Sequence, residues 1–198
     1  NLERYRQFNL GRNKAWNDAG PKDEKSNLMV PAASGIGALG GPLKIGVLFS
    51  KIKPVYVQNP RQINAFNYSQ KFGPKPPMFS RATYLSGVGL FISGTASIVN
   101  EESVHHNDPK KQTEESLKNI EVLISKENLA KYHVKKDYLL KDITDWRIYI
   151  KDIYSTKLIE KTFLKVSGDQ EPNYILLHDD ICRENLLVEI EGVIFDTK

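Results

Sequence analysis

Apolar positions along the chain change their period several times, and each change marks an element. Residues Leu2 to Trp16 carry Tyr5, Phe8 and Trp16 among Arg, Asn and Lys at helical spacing, which predicts a helix. A polar turn with Gly20-Pro21 follows over Asn17 to Lys25. The glycine-rich run Gly35 to Gly41 leads into Leu43-Lys44-Ile45-Gly46-Val47-Leu48-Phe49, which predicts a strand. That run neither follows a strand nor opens a helix, and it lacks a Lys-Ser/Thr ending, so it is a poor phosphate loop. From Gln58 to Pro77, four prolines predict an extended, irregular segment.

Phe79 to Tyr84 and Gly89 to Ser93 then read as paired strands. Asp108 to Ser125 reads as a helix with Leu117, Ile120 and Ile124 inward, Asp108 as its cap and Pro109 at its first position. Trp146 to Ile150 alternates like a half-buried strand. Tyr154 to Val166 is a helix with Leu158, Ile159, Phe163 and Leu164 apolar, stopped by Ser167-Gly168-Asp169. Strands follow at Tyr174 to Leu177 and Leu186 to Phe195. The order helix, polar turn, strand occurs over Leu2 to Phe49 and again over Tyr154 to Phe195, with Leu43–Phe49 parallel to Leu187–Val193. Two strands and a helix precede the second copy and nothing precedes the first. The expectation is an α+β fold of two repeats, the first truncated at its N-terminus; Asn rather than Met at position 1 agrees with it.

The 198 residues are 40% hydrophobic and 26% charged, the composition of a folded chain with a core of its own. Its 28 basic and 24 acidic residues are spread along the chain, so no nucleic-acid partner is expected, and a small anionic substrate suits the balance of +4. No apolar run reaches the roughly 20 residues that span a bilayer. The single cysteine excludes an intrachain disulfide framework and fits a reducing cytoplasm. His105 and His106 are adjacent, with no Cys or acidic residue at ligand spacing, so no metal is expected, and no cofactor either.

Glu189 and Glu191 alternate with Val188, Ile190 and Val193 and therefore share one strand face. Two readings follow. Either that face is exposed and both carboxylates are solvated, or one end of it meets a cleft and a desolvated carboxyl serves as a general acid. Cys182 reads as a small buried hydrophobe or as half of a Cys-His nucleophilic dyad. Arg61, Arg81, Arg147 and Lys151 are cations in apolar or proline-rich surroundings, suited either to carboxylate recognition or to a half-exposed strand surface.

A family resemblance then emerges. Gly73-Pro74, Phe79-Ser80-Arg81-Ala82, Phe91-Ile92-Ser93-Gly94, Asp108…Gln112-Thr113, Tyr149-Ile150-Lys151-Asp152 and Val188-Glu189-Ile190-Glu191 resemble the reactive-intermediate deaminase (YjgF-like, RidA-like) fold. Glu3-Arg4-Tyr5…Gly11-Arg12, Pro31-Ala32-Ala33…Ile36-Gly37, Asn59-Pro60-Arg61-Gln62, Ser93 to Ile98 and Asp180 to Arg183 resemble one branch of it, the chorismatases. The resemblance implies residues 1–60 as the remainder of a first repeat, 61–78 as an irregular linker lining the cleft and 79–198 as a complete C-terminal domain. It also implies release of pyruvate from the enolpyruvyl ether of chorismate. Glu189 matches the family's proton donor, and the remaining product is a hydroxybenzoate or a dihydroxycyclohexadiene carboxylate. Cys182 joins Glu189 in the reaction centre, with Ala96 and Cys182 at the positions associated with product choice. Tyr68, Arg81, Gly94 and Lys151 are implied to contact substrate. The expected assembly is a pseudo-repeat monomer, or association through exposed sheet edges. Tyr174 stands where the deaminases hold an arginine, which argues against imine hydrolysis. Asn100-Glu101 stands where Gly-His is usual, and Lys151 where Arg is common.

Overall fold

A computed structural model describes residues 2–37, 42–168 and 171–196. In chain order the elements are α1 (Leu2–Ala19), β1 (Val55–Val57), β2 (Ala82–Leu85), β3 (Gly89–Ala96), β4 (Ile98–Val99) and β5 (Glu102–Ser103). Then come α2 (Pro109–Ile124), α3 (Lys126–Ala130), β6 (Asp145–Ile150), α4 (Thr156–Ser167), β7 (Tyr174–His178) and β8 (Val188–Phe195). Six strands form one mixed sheet in the order β1-β2-β3-β8-β6-β7, and β4 and β5 form a small hairpin. Every neighbouring pair in the sheet is antiparallel except β6–β7, which α4 connects as a parallel crossover.

Helices α2 and α4 lie on one face of this sheet. Leu90 and Ile92 of β3, Val188, Ile190 and Ile194 of β8, and Trp146, Ile148 and Ile150 of β6 point to it, where Leu117, Ile120 and Ile124 of α2 and Phe163 of α4 meet them. Phe163 sits edge-on to Trp146, with ring centroids 5.2 Å apart. Helix ends follow sequence chemistry: the Asp108 carboxylate accepts from the Lys111 amide (2.9 Å), and α4 stops at Gly168, whose φ of 72° suits glycine.

The opposite face is polar. Alternation along β8 and β6 turns Glu189, Glu191, Arg147 and Tyr149 toward it. Chain from the N-terminal part covers it: the Ala32 amide donates to Thr83 Oγ1 (2.8 Å), and the Ala33 amide to Ser93 Oγ (3.0 Å).

Several expectations are corrected. Leu43–Phe49 is not a strand but coil, with Phe49 87% exposed, so its parallel with Leu187–Val193 has no counterpart as a strand pair. Alternation alone does not make a strand; no described neighbour takes up its backbone hydrogen bonds. The run at Phe79 becomes a strand only from Ala82, because Ser80 pairs instead with Pro31 (N–O 2.9 Å). The strand expected to end at Ser93 continues to Ala96. The segment 58–77 is irregular, with two short 3-10 turns. Val55–Val57, within the stretch expected to close the first unit, is hydrogen-bonded to β2. The glycine run's residues 38–41 and the end of the Ser167–Asp169 stop lie outside the described residues.

The core should answer to packing alone. Phe163→Ala should cost about 3–5 kcal/mol in urea unfolding, and Phe49→Ser should stay within about 0.5 kcal/mol of the parent.

Candidate active site

The pairing of β3 with β8 is broken once. Ile92 faces Gly192 and Thr95 faces Ile190, so Ser93 and Gly94 together oppose the single residue Glu191. This is a β-bulge, and it re-aims the strand beside the two glutamates. Past it, Ala96 lies directly across from Glu189. Gly94 has to be glycine: a Cβ there would come within 1.9 Å of Glu189 Oε1. Behind the bulge, the buried Asn119 of α2 donates to the carbonyls of Ala96 (3.1 Å) and Ile98 (2.9 Å), which secures the chain where β3 ends.

Glu189 is 4% exposed. Burial, reinforced by the nearby charge of Glu191, pushes its carboxyl up to about 8, against the opposing pull of Arg81 and the Cys182 thiol. At neutral pH it is therefore mostly protonated. Cys182 Sγ lies 3.9 Å from Glu189 Oε2. Burial, with Glu189 next, raises that thiol to about 12, so Cys182 is a neutral donor rather than a thiolate nucleophile.

Three guanidinium groups converge on the same cleft. Arg81 donates from Nη2 to the Tyr68 hydroxyl (2.6 Å) and the Ile63 carbonyl (3.1 Å). Arg183 donates from Nη1 to the Glu101 carbonyl (2.7 Å) at the β4–β5 hairpin, and its guanidinium stacks 3.8 Å over the ring of Phe72. Arg12, one helical face with Tyr5 and Asn9 on α1, donates to Asn9 Oδ1 at 2.7 Å. Each keeps one buried nitrogen with no partner among the described residues: Arg12 Nε, Arg81 Nε and Arg183 Nη2. Buried unpaired donors are costly, and guanidinium groups lining a cleft are suited to receive an anion. Burial raises the Tyr5 hydroxyl well above its usual range, so Tyr5 stays a neutral donor in the same wall. The space open to water is about 60 Å³, so a ring-sized ligand requires lining side chains to part.

Of the residues singled out from sequence, Glu189, Cys182, Tyr68, Arg81, Gly94 and Ala96 line this one cleft. Lys151 does not. Its ammonium donates to the Glu184 carbonyl (3.0 Å) and pairs with Asp180 (3.5 Å), so it braces the loop that carries Arg183. Arg61 is spent on Glu115 (2.5 Å) and on Asn119, and Arg147 on Glu191 (2.9 Å). Sequence reasoning passed over Arg12, Arg183 and Tyr5 as site residues, although each stands inside a motif that carried the resemblance.

A six-stranded mixed sheet with helices on one face defines the class: the YjgF/RidA-like α+β fold. A Rid-family protein from Yersinia pestis shares it at 22% identity, with TM-score 0.52, over 73% of this chain and 100% of the other. Higher identity is found with one branch of that class. Residues 1–49 match the family model described as chorismatase FkbO/Hyg5-like, N-terminal. A chorismatase from Streptomyces rapamycinicus is 41% identical over 98% of this chain and 58% of its own length. A 3-hydroxybenzoate synthase from Streptomyces hygroscopicus is 34% identical with the same coverage of both chains. A chorismatase crystal structure superposes with TM-score 0.84 at 35% identity, covering 96% of this chain and 57% of the other. Sequence and fold thus relate this chain to the chorismatases, and it spans a little over half the length of the relatives it matches.

A buried neutral carboxyl has a signature in stability. Between its ordinary value of 4.5 and its folded value near 8, the folded chain holds a proton that the unfolded chain releases. The stabilising contribution is complete below pH 4.5 and is lost as pH rises through 8. Glu189→Gln has no such loss, so denaturation midpoints should move increasingly in its favour from about pH 5 to pH 8. A pH-independent difference between the two proteins would mean that Glu189 is solvated.

Proposed function

We propose that the protein cleaves the enolpyruvyl ether of chorismate, with Glu189 as the proton donor. One observation carries this reading: a carboxyl that is protonated near neutrality faces a cleft with three partly unsatisfied guanidinium groups. A vinyl ether is cleaved by protonating its methylene carbon, which needs an acid that is neutral at working pH. Chorismate supplies two carboxylates for the arginines, of which Arg81 is the one nearest the reacting acid. Proton transfer leaves the net charge of the cleft unchanged: the new Glu189 carboxylate faces the oxocarbenium it has created, while the guanidinium groups hold the two substrate carboxylates.

The step balances. The π electrons of the vinyl ether take the Glu189 proton and leave an oxocarbenium carbon bearing the pyruvyl carboxylate. Water adds there and returns a proton to Glu189. Breakdown of the hemiketal breaks the ether C–O bond and gives pyruvate and a ring alcohol. Attack by the ring hydroxyl in place of water leads to a hydroxybenzoate, the product named for the Streptomyces hygroscopicus relative. Ala96, opposite Glu189, and the neutral Cys182 thiol shape the ring site and so bias this choice. Tyr68 orients Arg81, and Gly94 leaves room for the acid.

Pyruvate release from chorismate, followed with lactate dehydrogenase and NADH, tests the reading. Glu189→Gln should lose at least about a thousandfold in rate, and the parent rate should fall above about pH 8 as Glu189 ionises. Arg81→Met should raise KM more than it lowers kcat. Saturable chorismate binding without pyruvate release would leave a ligand-binding protein and sink the catalytic reading.

A further inference from the structure

Glu191 lies two residues from Glu189 on the same face of β8, yet its surroundings treat it in the opposite way. Glu191 Oε1 accepts from Arg147 Nη1 (2.9 Å) and from the Tyr149 hydroxyl (2.8 Å). Its Oε2 accepts from the Ser34 hydroxyl. Three donors, one of them a cation, fix the Glu191 carboxylate in place. Among the described residues, Glu189 has one side-chain hydrogen-bond partner, the weak thiol donor of Cys182.

A second, geometric path joins them. Ser34 Oγ, which donates to Glu191, also accepts from the Gly94 amide at 2.8 Å. Gly94 is the bulge residue against which the Glu189 carboxyl rests. Arg147, Tyr149, Glu191, Ser34 and Gly94 therefore form one continuous hydrogen-bonded chain that ends at the bulge residue packed beside the acid.

We propose that Glu191 is a positioning residue: anchored by Arg147, Tyr149 and Ser34, it sets a fixed charge beside Glu189 and holds the bulge wall against which that acid rests. The assignment rests on the reading of Glu189 as proton donor, since only then does its protonation serve chemistry. Other groups facing Glu189 are Tyr5 and Arg12 from α1, Arg81 ahead of β2, Tyr149 from β6, and Cys182 and Arg183 from the loop before β8. The cations favour a carboxylate, so the proton is retained because burial and the Glu191 charge outweigh them.

Titration of ¹³C-carboxyl-labelled glutamate by NMR tests this without turnover, the Glu189 resonance being the one absent from Glu189→Gln. Glu191→Gln should lower the Glu189 midpoint by about one pH unit. Arg147→Gln should raise it, by less because Arg147 is half exposed, since Glu191 then keeps its charge with less compensation. A midpoint unchanged or raised in Glu191→Gln overturns the proposal. Should that variant fail to fold, Arg147→Gln decides: a rise supports the coupling, and a fall or no change overturns it. A protein that shows both shifts yet releases no pyruvate would refute chorismate cleavage and leave the Glu191–Glu189 coupling standing.

Discussion

The side-chain period of a strand places Glu189 and Glu191 on one face of β8, and chain from the N-terminal part covers that face. Covering a carboxyl without a partner is expensive unless it keeps its proton. The rest of the site follows from how that cost is met. Glu191 receives donors from three directions, Glu189 receives a proton, and the bulge at Ser93-Gly94 opens the gap in which the second arrangement fits. A regular β3 with a side chain at position 94 would collide with the carboxyl, so the irregularity in the ladder and the chemistry at β8 are one feature.

The two sheet faces divide the work. Large apolar side chains from α2 and α4 fill one side at high density, which makes the strands a stiff platform. The other side is roofed by α1 and irregular chain, which deliver the cations: Arg12 from α1, Arg81 from the run that enters β2, Arg183 from the loop that enters β8. Side-chain amides stiffen the roof. Gln112 of α2 accepts from the Leu187 amide (2.8 Å) and donates to the Asn185 carbonyl (2.9 Å), which ties the Arg183 loop to a buried helix.

Periodicity made the central elements legible. The helix at Asp108, the strand at Trp146 and the last strand stand close to where alternation and capping put them, because each packs against a partner the pattern itself presupposes. Leu43–Phe49 has the same alternation and is not a strand, since alternation states a capacity and pairing fulfils it. The β1 pairing and the β4–β5 hairpin were hidden because two or three residues carry no period. At the site, Glu189 was legible from its strand. Arg183 was not, because a loop residue's direction is set by distant contacts, here the Glu101 carbonyl and the ring of Phe72. Lys151 misled for the converse reason: it continues a strand whose polar face does reach the site, but its ammonium turns back to the loop.

Among the described residues, the strand that carries both glutamates follows every other element in sequence and is central in the sheet. β3 and β6 have no lateral partner in common until β8 arrives between them. The helical layer and the β2–β3 hairpin can take shape early through local contacts, but the sheet stays in two pieces until β8 is inserted. Inserting it closes long loops on both sides at once, which is entropically slow. The cleft therefore is not complete before β8 is in place: its acid and the bulge beside it come into being together, in the same pairing step.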